Sequence, residues 1–487
     1  MVFNSAIFLF AFLPVLYAVY RLVPGLRAKN AVLLVFSLLF YCFGSLAHLP
    51  LLVASILVNW AAGRGLGAWP KEKKRARKLI LTVTVILNLG TLAAYKYLGF
   101  IAGNLEALFG APLSVPSLGL PLGISFFTFT GLGYVIEVYR KPSNMEKNLF
   151  RTALFISLFP NLLSGPILSW KNAAPQLAER TCTPEKTAKG LRRFIVGLAK
   201  KLLVADIVGG IADAAYSGGA LNASLAWLGT LAYAVQIYFD FSGYSDMALG
   251  LAGVFGFEFP ENFLQPYTAL GMTDFWKRWH ISLTTWFRNY LYMPMVMSKP
   301  LKKLYKRWAG QYGRPTANRL SILIPSAVVW LLTGLWHGAA WSYILWGLWH
   351  GLFCVLEGVG LIKTEGLKTT AGGRLVLRLY TILVILMGTV LFRAGSLAAA
   401  GWIYAAMFTG FGAAPAAILV LQQCVTGLSV FCLFVGIVGS AGALPRLRTV
   451  CGRWGEGASW VLCLGLLVLC VMNMAVNGFQ PFIYLQF

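Results

Sequence analysis

Charge is what this sequence has least of. Only 12% of its 487 residues are Asp, Glu, Lys or Arg, about half the share usual in a soluble globular domain. Acidic residues are the scarcer kind, 16 against 41 basic ones. The chain is 58% hydrophobic with a mean hydropathy of +0.71, and apolar stretches near the length of a membrane span recur along most of it. These proportions exclude a string of soluble domains. They describe an all-α polytopic membrane protein, multi-pass in the cell membrane. No polar interruption is long enough to fold separately. Residues 1–487 therefore read as one membrane domain, with N-terminal helices in 1–118, a motif-bearing core in 119–362 and C-terminal helices in 363–487.

Other absences narrow the chemistry. The eight cysteines are scattered, and Cys354, Cys432, Cys463 and Cys470 lie in apolar runs. No CxxC or Cys/His spacing is present, so they read as buried thiols, and no metal site is expected. Neither G-x-S-x-G nor H-E-x-x-H occurs. Apart from one pentapeptide there is no internal repeat, which leaves an inverted-repeat transporter without support. The net charge of +25 does not indicate a nucleic-acid partner, because the basic residues sit in short loops between apolar runs. That is the positive-inside pattern, with contact to anionic lipid headgroups as a consequence. The run KEKKRARK at 71–78 marks the cytoplasmic side most strongly. If Arg21, Arg27 and Lys29 share that side, the N-terminus is outside. Phe3–Tyr20 has no basic lead and no small-residue cleavage site, and reads as a retained first helix.

Helices are expected at 3–22, as two short spans within 31–63 broken near Gly44–Pro50 (which includes His48), and at 79–98, 121–139, 152–169, 190–216 and 222–256. An interfacial loop is expected at 171–193. After a polar, aromatic stretch at 260–320, spans are expected near 320–337, 339–361, 374–396, 414–442 and 458–478.

Three stretches carry ionisable groups where few are tolerated. Trp330–Gly351 is nearly all apolar and aromatic, yet holds two of the four histidines, His337 and His350, each within the pentapeptide GLWHG. A histidine at membrane depth is costly and faces a cavity or a polar partner. On one straight helix the two would point about 140° apart. They can share a site only if the helix breaks at Gly338, so one of them is expected to be structural. The second stretch, 273–294, reads as an interfacial amphipathic helix capped by Thr273 or Asp274, with Pro294 just past its end. Trp279, Leu283, Trp286 and Tyr290 form its apolar stripe; Asp274, Arg278, Ser282, Thr285 and Asn289 form its polar one. His280 lies between the faces, beside Trp276. The third stretch, 236–250, places Asp240, Tyr244 and Asp246 in a helix otherwise free of charge. Two such carboxylates must be paired, protonated or solvated. The expected partners are arginines from 277–288. A proton relay in a glycan or lipid carrier or flippase is the competing reading.

Few histidines, aromatic walls and no metal set suit one reaction well. A neutral histidine can take the proton of a hydroxyl as that hydroxyl attacks an activated acyl carbonyl. A thioester already has a good leaving group, so no protein nucleophile is required. The soluble acyltransferase spacing, His followed five positions on by Asp, is absent: Thr285 and Ser342 stand there.

These residues sit inside a longer ordered set of motifs: VFNSAIFLFAFLP at the start, LPLGISFFTFTGLGYVIEVYR (120–140), SLFPNLLSGPI (157–167), QIYFDFSGYSDMALG (236–250), FPENFLQPY (259–267), DFWKRWHISLTTWFRNYLY (274–292) and LLTGLWHGAAW (331–341). With them the chain resembles the membrane-bound O-acyltransferase family, and within it the bacterial branch that modifies alginate and teichoic acids. The resemblance implies a ring of tilted transmembrane helices with re-entrant or interfacial helices around a central tunnel. It implies His337 as catalytic histidine and His280 as a second signature histidine, with Trp336, Trp341, Trp279 and Trp276 along the tunnel. No bound cofactor is implied. The donor would be a cytoplasmic acyl thioester, acetyl-CoA or an acyl carrier protein. The acceptor would be an extracytoplasmic polysaccharide, reached directly or through a partner transferase; a lipid or protein hydroxyl is the alternative. Two departures bear on docking of donor or partner. Asn289 stands where relatives often have Asp, and Met295–Arg307 replaces a glycine-rich segment.

Overall fold

A computed structural model describes residues 1–116, 118–217, 219–412, 414–441, 455–478 and 480–483. It is 79% helical, and the described residues contain no strand, as the composition requires. The helices in order are α1 Leu13–Leu22, α2 Leu26–Ser45, α3 Leu49–Ala68, α4 Lys74–Phe109, α5 Ile124–Arg140, α6 Leu149–Ser157, α7 Trp170–Ala178, α8 Pro184–Ala199, α9 Asp206–Tyr216 and α10 Ala223–Val254. They continue with α11 Met272–Trp276, α12 Ile281–Phe287, α13 Lys299–Tyr312, α14 Leu323–His337, α15 Trp341–Gly358, α16 Ala371–Arg393, α17 Leu397–Thr409, α18 Pro415–Cys424, α19 Gly427–Ser440 and α20 Gly455–Asn477. Among the described residues, five helical stretches are long and apolar enough to cross a membrane: Leu26–Ala68, Lys74–Phe109, Arg314–His337, Ala371–Arg393 and Gly457–Val476.

The chain forms two compact units interleaved along the sequence. One comprises Met1–Leu198, Tyr244–Pro260 and Met474–Gln486; the other comprises chiefly Ala199–Gly243 and Glu261–Asn473. In the first unit, Phe3, Phe8, Phe12, Phe40 and Phe159 pack ring against ring at 5.1–6.3 Å. Asn59 and Asn88 join α3 to α4 through reciprocal amide hydrogen bonds of 3.1 and 3.2 Å. Arg180 donates to Tyr20 Oη, the Phe255 carbonyl and Asn30 Oδ1. Asn59, Asn88 and Arg180 thus find their partners inside the fold, where lipid supplies none.

Four expected boundaries are corrected. The break predicted near Gly44–Pro50 is there, but the helices around it, α2 and α3, are 20 residues each, full spans and not short ones. The interfacial loop expected at 171–193 is helical, as α7 and the start of α8. Its mixed charge reads as loop, but α7 buries Trp170, Ala173 and Leu177 along one face. The span expected at 152–169 stops at Ser157, where Leu158 turns extended ahead of Pro160. A missing ring N–H and a fixed φ break a helix there. The Asn161 amide then donates to the Pro166 carbonyl at 2.6 Å, closing a turn. The region expected as one span at 414–442 is a pair, α18 and α19, bent by 77°. The cause is a capping box: the Thr426 hydroxyl accepts the Ser429 N–H, and the Ser429 hydroxyl accepts the Thr426 N–H.

Candidate active site

The second unit holds His280, His337 and His350, and the backbone that places them differs from the simplest reading of each motif. Trp330–Gly351 is not one helix. It ends at His337, runs extended through Gly338 (φ −175°, ψ 158°) and restarts at Trp341. The break lets α14 and α15 fold back on each other. Their crossing is made by the repeat itself, because the leading glycines of the two GLWHG copies meet. A Cβ on Gly347 would lie 3.0 Å from the Cα and N of Gly334, and one on Gly334 would lie 2.5 Å from the Tyr343 carbonyl. Gly351 faces the Trp330 ring in the same way. Small residues let helix backbones approach where lipid supplies no hydrophobic drive. The angular separation of His337 and His350, argued for a continuous helix, therefore does not hold. Both rings pack on Trp346, at 4.6 and 5.0 Å.

The polar insertion is also broken. The expected single helix over 273–294 is α11, a turn, α12, and a wider turn over Arg288–Tyr292 that continues through Pro294. Neither Thr273 nor Asp274 caps α11. Gly271 leads in with φ 129°, and the first backbone N–H groups go to α15 instead. Glu357 Oε1 accepts from Met272 at 2.6 Å and Oε2 from Thr273 at 2.8 Å, while Tyr380 Oη donates to Oε1 at 3.1 Å. The Gly271 N–H donates to Thr381 Oγ1 at 2.9 Å. A carboxylate at orphan N–H groups is a favourable, charge-assisted arrangement. Asp274 accepts from Arg278 Nε at 2.9 Å and from the Leu270 N–H at 3.0 Å. Burial works to raise this carboxyl, but the Arg278 guanidinium and the Leu270 N–H outweigh it and hold Asp274 below its usual value.

His280 ends the turn in a left-handed conformation, φ 43° and ψ 53°. Non-glycine residues pay for that conformation, and they cluster at functional sites. Asn262 holds it. The Asn262 carbonyl accepts the Ile281 N–H at 3.0 Å, and its side-chain oxygen accepts the Ser282 N–H at 3.1 Å and hydroxyl at 2.9 Å. His280 Nδ1 lies 3.2 Å from the same oxygen.

The rings form an alternating ladder. Phe241 packs on His280 at 4.7 Å, His280 on Trp336 at 5.8 Å, Trp336 on His337 at 4.8 Å, His337 on Trp346 at 4.6 Å, Trp346 on His350 at 5.0 Å and His350 on Trp276 at 5.4 Å. Phe392 closes on His337 at 5.2 Å. All three histidines are at most 2% exposed. Trp279 belongs to the adjoining cluster with Phe263, Phe275 and Tyr267. Trp341, by contrast, is 52% exposed at the start of α15, outside the ladder. Asn289 lies half-buried in the wide turn after α12.

Asp240 and Asp246 are ion-paired, but not to residues 277–288. Lys201 Nζ sits 2.7 Å from Asp240 and 2.7 Å from Asp206, with Lys201 and Asp240 each 2% exposed. In the first unit Arg193 holds Asp246 at 2.8 Å, and Tyr244 packs on Phe3 and Phe482, both at 4.9 Å. The expected arginines are committed or exposed: Arg278 to Asp274, and Arg288 at the surface. Lys201 and Arg193 come from the helix expected at 190–216, whose basic residues were not read as partners of these acids. Asn262 and Glu357 also escaped the sequence reading. Asn262 lies within the FPENFLQPY motif, and Glu357 is a lone acid near the end of an apolar run, the same signal that singled out Asp240. Among the described residues no three His, Cys, Asp or Glu side chains gather to hold a metal ion.

A model of the membrane-bound O-acyltransferase family matches residues 143–309. The chain is 36% identical to the probable alginate O-acetylase of Pseudomonas putida over 100% of both chains. It is 32% identical to the peptidoglycan O-acetyltransferase of Helicobacter pylori over 74% of this chain and 70% of that one. It is also 32% identical to the teichoic acid D-alanyltransferase of Streptococcus thermophilus, over 50% of this chain and 56% of that one. Similarity that runs from one end of the chain to the other, around a buried histidine ladder, makes this membrane protein a member of the membrane-bound O-acyltransferase family and an acyltransferase enzyme.

Proposed function

We propose that the protein is an O-acetyltransferase that passes an acetyl group from a cytoplasmic thioester to a hydroxyl of an extracytoplasmic polysaccharide. His337 is the general base. It takes the hydroxyl proton as the oxygen attacks the thioester carbonyl, the tetrahedral intermediate expels the thiolate, and the proton passes to that sulfur. The carrying observation is the packing of both His280 and His337 on the Trp336 ring, at 5.8 and 4.8 Å, with the two histidines at most 2% exposed. Wall-to-wall aromatic packing keeps a competing hydrolysis out. His280 assists by positioning or relaying the proton.

The polysaccharide acceptor is supported by relatives named for alginate and peptidoglycan O-acetylation. Acetyl is favoured over D-alanyl because the D-alanyl relative aligns with only half of this chain. The donor is acetyl-CoA or an acyl carrier protein, met by the exposed Lys302, Lys303, Lys306 and Arg307 of α13. An extracytoplasmic partner transferase completes delivery where the acceptor does not reach the site itself. The carrier or flippase reading, whose relay would join Asp240 and Asp246 to the intramembrane histidines, is less favoured because both acids are held in ion pairs.

The test is acetyl transfer in membranes carrying His337→Ala at matched expression, with mass spectrometry of surface glycans from cells with and without the protein. Transfer disappears in the variant, and the acetyl mass is missing from the glycans of cells lacking the protein. Full activity of His337→Ala overturns the assignment of the base. Unchanged glycans overturn the acceptor.

A further inference from the structure

Asn262 makes two kinds of contact with one atom, and together they determine where the proton of His280 sits. Its Oδ1 is identified by the Ser282 backbone N–H at 3.1 Å. A backbone N–H only donates, so the atom it meets is the amide oxygen and not the nitrogen. That oxygen only accepts. The Ser282 hydroxyl, 3.5 Å from His280 Nδ1, donates to this same oxygen at 2.9 Å, so His280 Nδ1, 3.2 Å from the oxygen, bears the hydrogen and the lone pair of a neutral imidazole is left on Nε2. Free histidine favours the opposite tautomer. The contact is built, not incidental: Asn262 and His280 are each 1% exposed, and the Ile281 N–H donates to the Asn262 carbonyl at 3.0 Å. Two N–H groups that α12 cannot satisfy internally, those of Ile281 and Ser282, are thus capped by one residue from an upstream motif. One amide holds the strained backbone of His280 and its ring together.

We propose that Asn262 is a positioning residue that holds His280 in the Nδ1–H tautomer and so presents Nε2 as the proton acceptor in the acyl-transfer site. The hydrogen bond at one ring nitrogen decides which nitrogen is available for chemistry. The inference rests on the reading of His280 as an assisting group, but its first test does not. The full chain, labelled with 15N-histidine and held in lipid bilayers, has four histidine rings. That of His280 is assigned by its loss in His280→Asn. The inference expects a protonated Nδ1 and an unprotonated Nε2. The reverse pattern overturns it, and no substitution at Asn262 is needed to see that.

Two variants extend the test. Asn262→Ala releases the ring to the Nε2–H form and lowers kcat with acetyl-CoA about 10-fold or more at unchanged KM. It adds nothing further in a His280→Ala background. Asn262→Asp keeps the acceptor and the Nδ1–H form. Its carboxylate favours imidazolium, so the acid limb of the rate profile moves to higher pH. The charged groups on the elements packed against His280 include Asp240, held by Lys201, the Asp274–Arg278 pair, His337 beyond Trp336, and the exposed Glu261 and Lys277; none of these is altered by the substitution. A tautomer unchanged in Asn262→Ala, or full additivity with His280→Ala, assigns Asn262 to the fold alone. If His280→Ala itself transfers acetyl at the full rate, the functional reading of His280 fails, while the spectrum still decides the tautomer.

Discussion

Gly334–Gly338 and Gly347–Gly351 have the same five residues on the two arms of one hairpin. In the first copy the histidine is the last residue before the helix stops. Its ring meets Trp336, Trp346 and Phe392 beside the insertion that carries His280. In the second copy the histidine is mid-helix, among Trp276, Trp330 and Trp346 and against Gly388 of α16, where an added Cβ would come within 2.5 Å of its Nε2. The glycines are the parts used alike, since they form the crossing. The histidines differ because one arm ends at its copy and the other continues through it. Identical pentapeptides thus serve one packing purpose and two different histidine placements.

The comparison can be broken most severely at His337. His337→Ala is expected to lower acetyl transfer by about 100-fold or more with folded protein still recovered from membranes; equal activity would remove the first copy's distinction. Gly347→Val comes next. Its side chain would run into the backbone of Gly334 and the Trp330 carbonyl, costing about 1–3 kcal/mol or more. Thermal unfolding in detergent should show it, with Gly90→Val, which meets nothing within 4 Å, as the control. If both glycine variants melt alike, the hairpin crossing is looser than described. His350→Ala should cost about 2 kcal/mol through lost packing while turnover per folded molecule stays near the parent value. A loss equal to that of His337→Ala would make the two copies functionally equivalent. Trp341→Ala should have the smallest effect, within about 0.5 kcal/mol and with transfer unchanged, because the ring is 52% exposed. A large loss of activity there would return Trp341 to the wall of the site.

Much of the site was legible because its signals are local. A histidine in an apolar run stands out against its neighbours, and so do two acids in 236–250. The break at Gly338 could be named as a condition but not decided, because glycine permits both an extended and a helical course. The partners of Asp240 and Asp246 were misassigned for a similar reason: the need for a counter-charge is local, while its source is 39 and 53 residues away. The insertion appeared as one amphipathic helix since its periodicity survives the break. The turn at His280 depends on Asn262 and the start of α11 on Glu357, which no pattern within 273–294 contains.

By itself, the sequence determined the solvent of this protein, its helical class, the ordered motifs of its family and the short roster of ionisable residues from which any site had to be drawn. Each of these follows from composition or from neighbours along the chain. The tertiary structure decided which glycines touch, which basic residues answer the buried acids, and which nitrogen of His280 carries its proton. Those depend on atoms brought together from helices far apart in sequence, where a single hydrogen bond or a missing Cβ selects among arrangements that the local pattern leaves equally open.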